Sequence, residues 1–168
     1  MHRSVGTKLS VIVDRAGTPL AVSVAPGNNH DGALGFLTLT NIYKPPPILR
    51  GILLDEAKTA EPLLLADKGY DSFRFREFVQ DHGLQPLIPA RRCIPAEQAT
   101  VELYTENPAL QKKHYVAERT LGWLKGFRRL RYRVDRTAAS FHAFVYLAVL
   151  VLCVLRLISR FLTDVSGL

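Results

Sequence analysis

A stretch of nineteen residues without a single charge, 137–155, limits the folds that are open to this chain. Its length approaches the roughly 20 apolar residues of a membrane span. The strongly apolar part is only 143–155, however, because Thr137, Ser140 and His142 interrupt its beginning. Basic residues flank both ends, so charge indicates no membrane orientation. The pattern favours a C-terminal helix, 138–162, packed on the core of a soluble domain, with a membrane-anchored protein as the alternative.

Short β-branched runs alternate with helical patterns along the rest of the chain. Residues 8–13 and 18–25 flank Asp14 and Gly17, two turn residues, and predict a β-hairpin. Residues 62–66 predict a short buried strand, and 85–89 predict another strand. Helices are predicted in 32–43, 48–57, 73–82 and from Pro108 onwards, whereas 91–107 shows no periodic pattern. This order predicts an α/β fold with a mixed sheet flanked by helices.

Several positions predict where helices begin, end and face the core. Asp31 is placed to cap the first helix, and Asp71 or Ser72 the helix at 73–82, which Gly83 would end. A stripe at helical spacing predicts the inward face of the helix after Pro108, and it puts Trp123 in the core. That stripe consists of Val116, Thr120, Trp123, Phe127 and Leu130.

Length and composition indicate one globular domain of 168 residues, with 48% hydrophobic and 22% charged residues. Cys93 and Cys153 are the only cysteines. They exclude a disulfide scaffold and a thiolate zinc site, and they suit a reducing cytoplasm. The sequence contains neither a phosphate-binding loop of the ATPase type nor the glycine elbow of a serine hydrolase.

The positive charge is concentrated in one segment, 111–136. It contains nine lysines and arginines but only two acids, Glu118 and Asp135, so it accounts for the whole net charge of +7. A localised cationic segment favours a polyanionic partner, of which nucleic acid is the commonest. The alternative is a solvated helix face that keeps the protein soluble.

Two acidic residues are candidates for metal chemistry. Asp67 directly follows the predicted strand 62–66, and functional groups gather at the carboxyl ends of strands in α/β sheets. Glu118 lies inside the cationic segment, on one helical face with His114 and Lys125. Carboxylate oxygens suit a hard divalent cation. The alternatives are that Asp67 only begins a turn and that Glu118 only balances local charge through His114.

Two motifs together resemble the DDE transposases of bacterial insertion sequences, in the group with a Tyr-x2-Arg-x3-Glu-x6-Lys signature. They are DKGYDS at 67–72 and HYVAERTLGWLKGFRRL at 114–130. Further similar segments occur in the expected order: GTK at 6–8, VD at 13–14, APGNNHD at 25–31, LIPARR at 87–92 and RYR at 131–133. The resemblance covers nearly the whole chain, and the ordered set is far more specific than any one motif.

The resemblance implies a ribonuclease-H-like fold in which three carboxylates bind two Mg²⁺ or Mn²⁺ ions for DNA strand cleavage and transfer. It makes Asp67 the second catalytic acid and Glu118 the third, and they would meet at one site. Lys125 matches the signature lysine, which contacts DNA near the transposon end. His114 and Gln111 replace the signature arginine and tyrosine. The candidate DNA-binding residues are His114, Arg119, Lys125, Arg128, Arg129, Arg131 and Arg133.

The family's first catalytic aspartate has no matching position, because it lies on a strand upstream of the hairpin and residues 1–8 contain no acid. We therefore expect a C-terminal part of the catalytic domain that lacks the first strand and is inactive alone. It would be a frameshifted second frame joined to an upstream product, a remnant, or a chain with a late-called start. The expected partner is double-stranded DNA, at the element's ends and at its target, with homo-oligomers in the active state. The competing interpretation is a DNA-binding transposase remnant without catalysis.

Overall fold

The computed structural model describes residues 6–43, 62–90 and 113–166, and it begins with the predicted hairpin. Strands β1 (Thr7–Val13) and β2 (Pro19–Pro26) pair antiparallel. In the turn, one carboxylate oxygen of Asp14 accepts the backbone N–H of Ala16 at 2.9 Å and that of Thr18 at 2.7 Å. Gly17 adopts the positive φ of 88° that favours glycine. The prediction of Asp14 and Gly17 as the turn residues is confirmed.

Helix α3 (His114–Gly126) is attached to this turn. The Thr120 hydroxyl, which is fully buried, lies 3.0 Å from the carbonyl oxygen of Gly17. A Cβ at Gly17 would come within 3.2 Å of both Thr120 and Val116, so this contact requires a glycine. A short helix, α4 (Arg128–Arg131), follows after a break at Phe127.

The long helix α5 (Ala138–Ser166) lies against the hairpin and α3 along one stripe. Its buried residues recur every three or four positions: Phe141, Val145, Ala148 and Leu152. The first two pack with Val22 of β2, and the last two with Leu124 of α3. Most other apolar side chains of α5 are exposed, so the helix is buried on one stripe and not all round.

The segment Ala138–Thr163 is long and apolar enough to cross a membrane: an 18-residue window within it has a mean hydropathy of 2.4, and 17% of that window is buried. One such helix is weak evidence for a membrane, because core helices of soluble proteins have the same length and composition. The buried stripe against the hairpin explains part of its apolar character by packing inside the protein.

A second group of elements runs from α1 to β4. It consists of α1 (Asp31–Tyr43), β3 (Leu63–Leu65), a 3₁₀ helix (Lys68–Tyr70), α2 (Phe73–Asp81) and β4 (Gln85–Leu87). Strands β3 and β4 pair in parallel. Phe36 of α1 stacks edge-on with Phe75 of α2 at 5.2 Å between ring centroids. The structure thus comprises two compact units, one formed by 1–27 with 116–168 and the other by 28–115.

Several expectations about the second unit are confirmed, and one is wrong. The hydroxyl of Ser72 accepts the backbone N–H of Phe75 at the start of α2, and Gly83 follows its end with a φ of 69°. The strand at 62–66 is not fully buried, because Leu63 is 40% exposed. The predicted helix 48–57, the irregular segment 91–107, the helix start at Pro108 and Gln111 lie outside the described residues.

The α/β class is confirmed by this order of helices and strands. In the ranges that the structure describes, the four strands form two separate two-stranded sheets, one antiparallel and one parallel. A single mixed sheet is therefore not seen there. The ribonuclease-H-like arrangement and the single-domain organisation stay predictions.

A buried ion pair joins the loop after the 3₁₀ helix to both α2 and the end of β4. Arg76 donates to the Asp71 carboxylate at 2.8 Å and to the carbonyl oxygen of Ile88 at 2.7 Å. The Asp71 side chain is fully buried. A single arginine therefore holds three parts of this unit together.

A second carboxylate organises the link between α4 and α5. Asp135, whose side chain is 1% exposed, accepts from Arg129 at 2.6 Å and from the Ser140 hydroxyl at 2.9 Å. The hydrogen bond from Arg129 is the main cause that lowers the pKa of Asp135 below its ordinary value. Asp135 thus ties the basic helix α4 to the first turn of α5.

We expect Arg76→Ala to destabilise the protein by about 3–5 kcal/mol, because it leaves the Asp71 carboxylate buried without its cation. Urea unfolding measures this loss. Arg74→Ala is the matched control, since Arg74 lies on the same helix but is exposed. Equal stability of the two variants would contradict the role given to Arg76.

We expect Asp135→Asn to lower the melting temperature at pH 7. A carboxyl group whose pKa is lower in the folded protein than in the unfolded chain stabilises the fold at pH values above its ordinary pKa of about 3.9. This stabilisation is lost as the pH falls through the pKa of the folded protein. The difference in melting temperature between Asp135→Asn and wild type should therefore shrink below about pH 4. Asp81→Asn, at an exposed position, is the matched control and should leave the melting temperature at pH 7 close to that of wild type.

Candidate functional site

Asp67 lies at the carboxyl end of the parallel pair β3–β4. The backbone N–H of Ala66 still bonds to the carbonyl oxygen of Leu87, and Asp67 follows immediately. The residue precedes the 3₁₀ helix, but its side chain makes no capping hydrogen bond to that helix. Its carbonyl oxygen instead accepts the N–H of Tyr70 at 2.9 Å. The turn is thus closed by the backbone, and the exposed carboxylate of Asp67 is not needed to form it.

A second acid of the same unit lies near this turn. Asp31 is the first residue of α1, and a Cβ built on Gly69 would lie 3.3 Å from its carboxylate oxygen Oδ2. The sequence predicted Asp31 as the N-cap of the first helix, whereas the structure makes it the first residue of α1. Its proximity to the Asp67 turn depends on how α1 packs against the 3₁₀ helix, and no local pattern indicates that packing. Glycine at 69 leaves room for the Asp31 carboxylate.

Glu118 lies on the solvent-exposed face of α3. The opposite face is buried through Thr120 and Leu124, which pack on the hairpin turn and on α5 respectively. Lys125 follows Glu118 by seven residues, so both lie on the same face of the helix, and both are exposed. His114, one turn before Glu118, is half-buried. The predicted common face of His114, Glu118 and Lys125 agrees with the helical bounds of α3.

Asp67 and Glu118 belong to different compact units of the structure. Their meeting at one metal site therefore stays a prediction. Within residues 6–43, 62–90 and 113–166, no group of three histidine, cysteine, aspartate or glutamate side chains is arranged to hold a metal ion. The donor type nevertheless fits Mg²⁺ or Mn²⁺, since both residues offer exposed carboxylate oxygens.

Six cationic residues after Glu118 fall into two groups. Members of the first contact other parts of the fold: Arg119 lies 3.5 Å from the carbonyl oxygen of Ala16, Arg129 pairs with Asp135, and Arg133 donates to the Thr7 hydroxyl at 2.8 Å. The second group consists of Lys125, Arg128 and Arg131, which are exposed on α3 and α4. All six were predicted as DNA contacts, but the first three also hold the hairpin and α5 in place.

The prediction of Trp123 as a core residue is wrong. Its side chain is 40% exposed, and the guanidinium groups of Arg119 and Arg156 lie 5.1 and 4.6 Å from its ring centroid. These cation–π contacts hold the indole ring at the edge of the core. Leu124, the next residue, occupies the fully buried position instead.

Comparison with known proteins gives a consistent result. The sequence profile of the family described as transposase DDE domain matches residues 2–154. A protein of Burkholderia cepacia described as a transposase for insertion sequence element IS402 is 36% identical over 148 residues, which cover 88% of this chain and 63% of that protein. A protein of Brucella ovis described as a transposase for insertion sequence element IS6501 is 26% identical over 142 residues, or 84% of this chain and 93% of that protein. No solved structure matches the chain.

Proposed function

Because this chain belongs to the transposase DDE domain family, we propose that it acts in DNA transposition as part of a metal-dependent catalytic core. The observation that carries this proposal is the match over residues 2–154, which includes Asp67 and Glu118. Both carboxylates are exposed, one at a strand end and one on a helix face. The chain spans 63% of the length of the IS402 relative, so the activity of a whole transposase is itself part of the proposal.

The exposed cations Lys125, Arg128 and Arg131 would bind the phosphates of duplex DNA. They follow Glu118 on α3 and α4, so DNA held by them would lie near the Glu118 carboxylate. Phosphate contacts position a protein on DNA without selecting a sequence. The proposed substrates are the ends of an insertion sequence and its target.

Asp67 and Glu118 would hold the divalent cations. When bound, Mg²⁺ or Mn²⁺ ions activate the attacking oxygen and stabilise the leaving oxygen of the phosphodiester. Each carboxylate would supply negative oxygen ligands, and Glu118 lies within the cationic segment itself. Lys125, on the same helix face as Glu118, would hold the DNA backbone close to that carboxylate.

The family's first acid has no motif-matched counterpart in residues 1–168, so we propose that this chain needs an additional segment for catalysis. An upstream frame product is the proposed source, and the active form would be a cytoplasmic homo-oligomer with a ribonuclease-H-like core. The alternative is a non-catalytic DNA-binding remnant. The localised charge of the 111–136 segment favours DNA binding in both cases.

We expect the chain to bind duplex DNA with an affinity that falls steeply with salt, by about 0.9 logarithmic units per tenfold change in salt for each phosphate neutralised. Arg128→Ala should reduce this slope by about 1 for any duplex sequence. Fluorescence anisotropy at several salt concentrations measures it. Arg15→Ala removes an exposed arginine outside the segment and should leave the slope unchanged. Binding that does not depend on salt would contradict phosphate contact.

We expect residues 1–168 alone neither to cleave nor to join transposon-end duplexes, and an extended chain with the upstream aspartate strand to do both with Mg²⁺ or Mn²⁺. In the extended chain, Asp67→Asn and Glu118→Gln should each lower the cleavage rate by about 100-fold or more, because each removes a ligand that positions the ions. Denaturing gels of end-labelled DNA measure cleavage.

Glu77→Gln is the control for these substitutions, since Glu77 is an exposed carboxylate on α2. Full activity of the Asp67 and Glu118 variants would refute the site. Metal-dependent cleavage by residues 1–168 alone, abolished by Glu118→Gln, would show that the first acid lies within this chain. DNA binding without cleavage by the extended chain would favour the non-catalytic alternative.

A further inference from the structure

The turn that carries Asp67 packs against helix α1 at two points, and at each point a glycine makes the close approach possible. A Cβ built on Gly69 of the turn would lie 3.3 Å from Oδ2 of Asp31, the first residue of α1. In the opposite sense, a Cβ built on the buried Gly35 of α1 would lie 2.7 Å from the Tyr70 ring of the turn. These two approaches fix the turn against the first turns of α1.

Asp67 occupies the position from which an aspartate side chain ordinarily caps the turn that follows it. At such a position the carboxylate accepts the backbone N–H of the second or third residue further on. The Asp67 side chain makes no such hydrogen bond. A different carboxylate, that of Asp31, lies beside the turn at Gly69, two residues after Asp67.

The place of Asp31 suits a hydrogen bond from the backbone of the turn. The Cβ position of a residue is only two bonds from its backbone nitrogen, so Oδ2 of Asp31 is within reach of the Gly69 N–H. A carboxylate accepts such an N–H more strongly than a neutral oxygen does. The negative charge of Asp31 is also favourable at the start of α1, because of the helix dipole.

We propose that Asp31 is a positioning residue for Asp67. Its carboxylate accepts the Gly69 N–H and so caps the turn from outside, which leaves the Asp67 carboxylate to a divalent cation. The inference rests on the proposed function, because it assigns Asp31 a role through metal binding at Asp67. The competing explanation is that Asp31 acts through its charge alone, at the start of α1.

The first experiment measures hydrogen exchange of the Gly69 amide by NMR in the full chain. Asp31→Ala should accelerate this exchange about tenfold or more, since hydrogen bonds to charged acceptors are among the stronger ones. Asp31→Asn keeps an acceptor oxygen without the charge and should retain most of the protection. Asp67→Ala should leave the rate unchanged, because the Asp67 side chain does not cap the turn. The amide of the fully buried Val79 reports the stability of the unit as a whole and should exchange at the same rate in every variant.

The second experiment titrates the same proteins with Mn²⁺ alone, which broadens the NMR signals of nearby amides even when it binds weakly. In wild type the signals of Asp67 and Lys68 should broaden, and Asp67→Asn should abolish this effect. Asp31→Ala should raise the Mn²⁺ concentration required by about tenfold, as loss of a group that orients a metal ligand commonly does. Asp31→Asn should lie nearer to wild type than to Asp31→Ala. Asp81→Ala removes an exposed aspartate of α2 and is the control.

A steric variant tests the same contact from the side of the turn. Gly69→Ala places a methyl group 3.3 Å from Oδ2 of Asp31, so the carboxylate must shift, and the Mn²⁺ requirement should rise as it does in Asp31→Ala. Gly32→Ala is the matched control, because a Cβ at that position of α1 meets no atom within 4 Å.

The outcomes separate this inference from the proposed function. Equal Gly69 exchange in wild type and Asp31→Ala overturns the inference, as does Asp31→Asn exchanging as fast as Asp31→Ala, or an equal acceleration at Val79. Mn²⁺ binding at Asp67 that Asp31→Ala leaves unchanged also overturns the inference, while the proposed function stands. Mn²⁺ that broadens no signal of the Asp67 turn in wild type contradicts the proposed metal site itself.

Discussion

The contact between Thr120 and the hairpin turn determines where Glu118 and the cations lie. The buried Thr120 hydroxyl reaches the Gly17 carbonyl, and only a glycine leaves room for Thr120 and Val116 there. With this face of α3 turned inward, the helical period leaves Glu118 and Lys125 on the exposed side. A hydrogen bond more than 100 residues apart in sequence thus orients the proposed catalytic helix.

The position of Asp67 likewise depends on hydrogen bonds and a buried ion pair, in the other unit. Its turn is closed by backbone hydrogen bonds, and the residues that follow are held by Asp71, Arg76 and the carbonyl oxygen of Ile88. Both candidate acids are therefore exposed side chains next to buried polar contacts that make no use of them. Neither carboxylate is used by these contacts, so each is accessible to a metal ion, as the proposed chemistry requires.

Features set by neighbouring residues were predictable from the sequence, and features set by distant packing were not. The Asp14–Gly17 turn, the Ser72 cap and the Gly83 helix end each depend on a few consecutive residues, and all three are observed. The core position assigned to Trp123 failed because helical spacing alone cannot distinguish a ring at the edge of the core from one inside it. Arg156, 33 residues further along the chain, provides one of the two cation–π contacts at this ring. The proximity of Asp31 to Gly69 was unpredictable for the same reason.

The basic segment has a structural role that constrains the DNA binding proposed for it. Arg133 lies over the Phe141 ring and Arg129 over the Phe144 ring, so these cations cover aromatic side chains of the apolar helix α5. Such contacts contribute about 0.5–1 kcal/mol each at exposed sites. A guanidinium engaged on one face by a ring still presents N–H groups to a phosphate. If DNA binds at these arginines, their side chains are already oriented by contacts within the folded protein. They would therefore lose less conformational entropy on binding than the side chain of a freely moving lysine. Loss of either arginine would accordingly weaken the attachment of α5 as well as the contact with DNA.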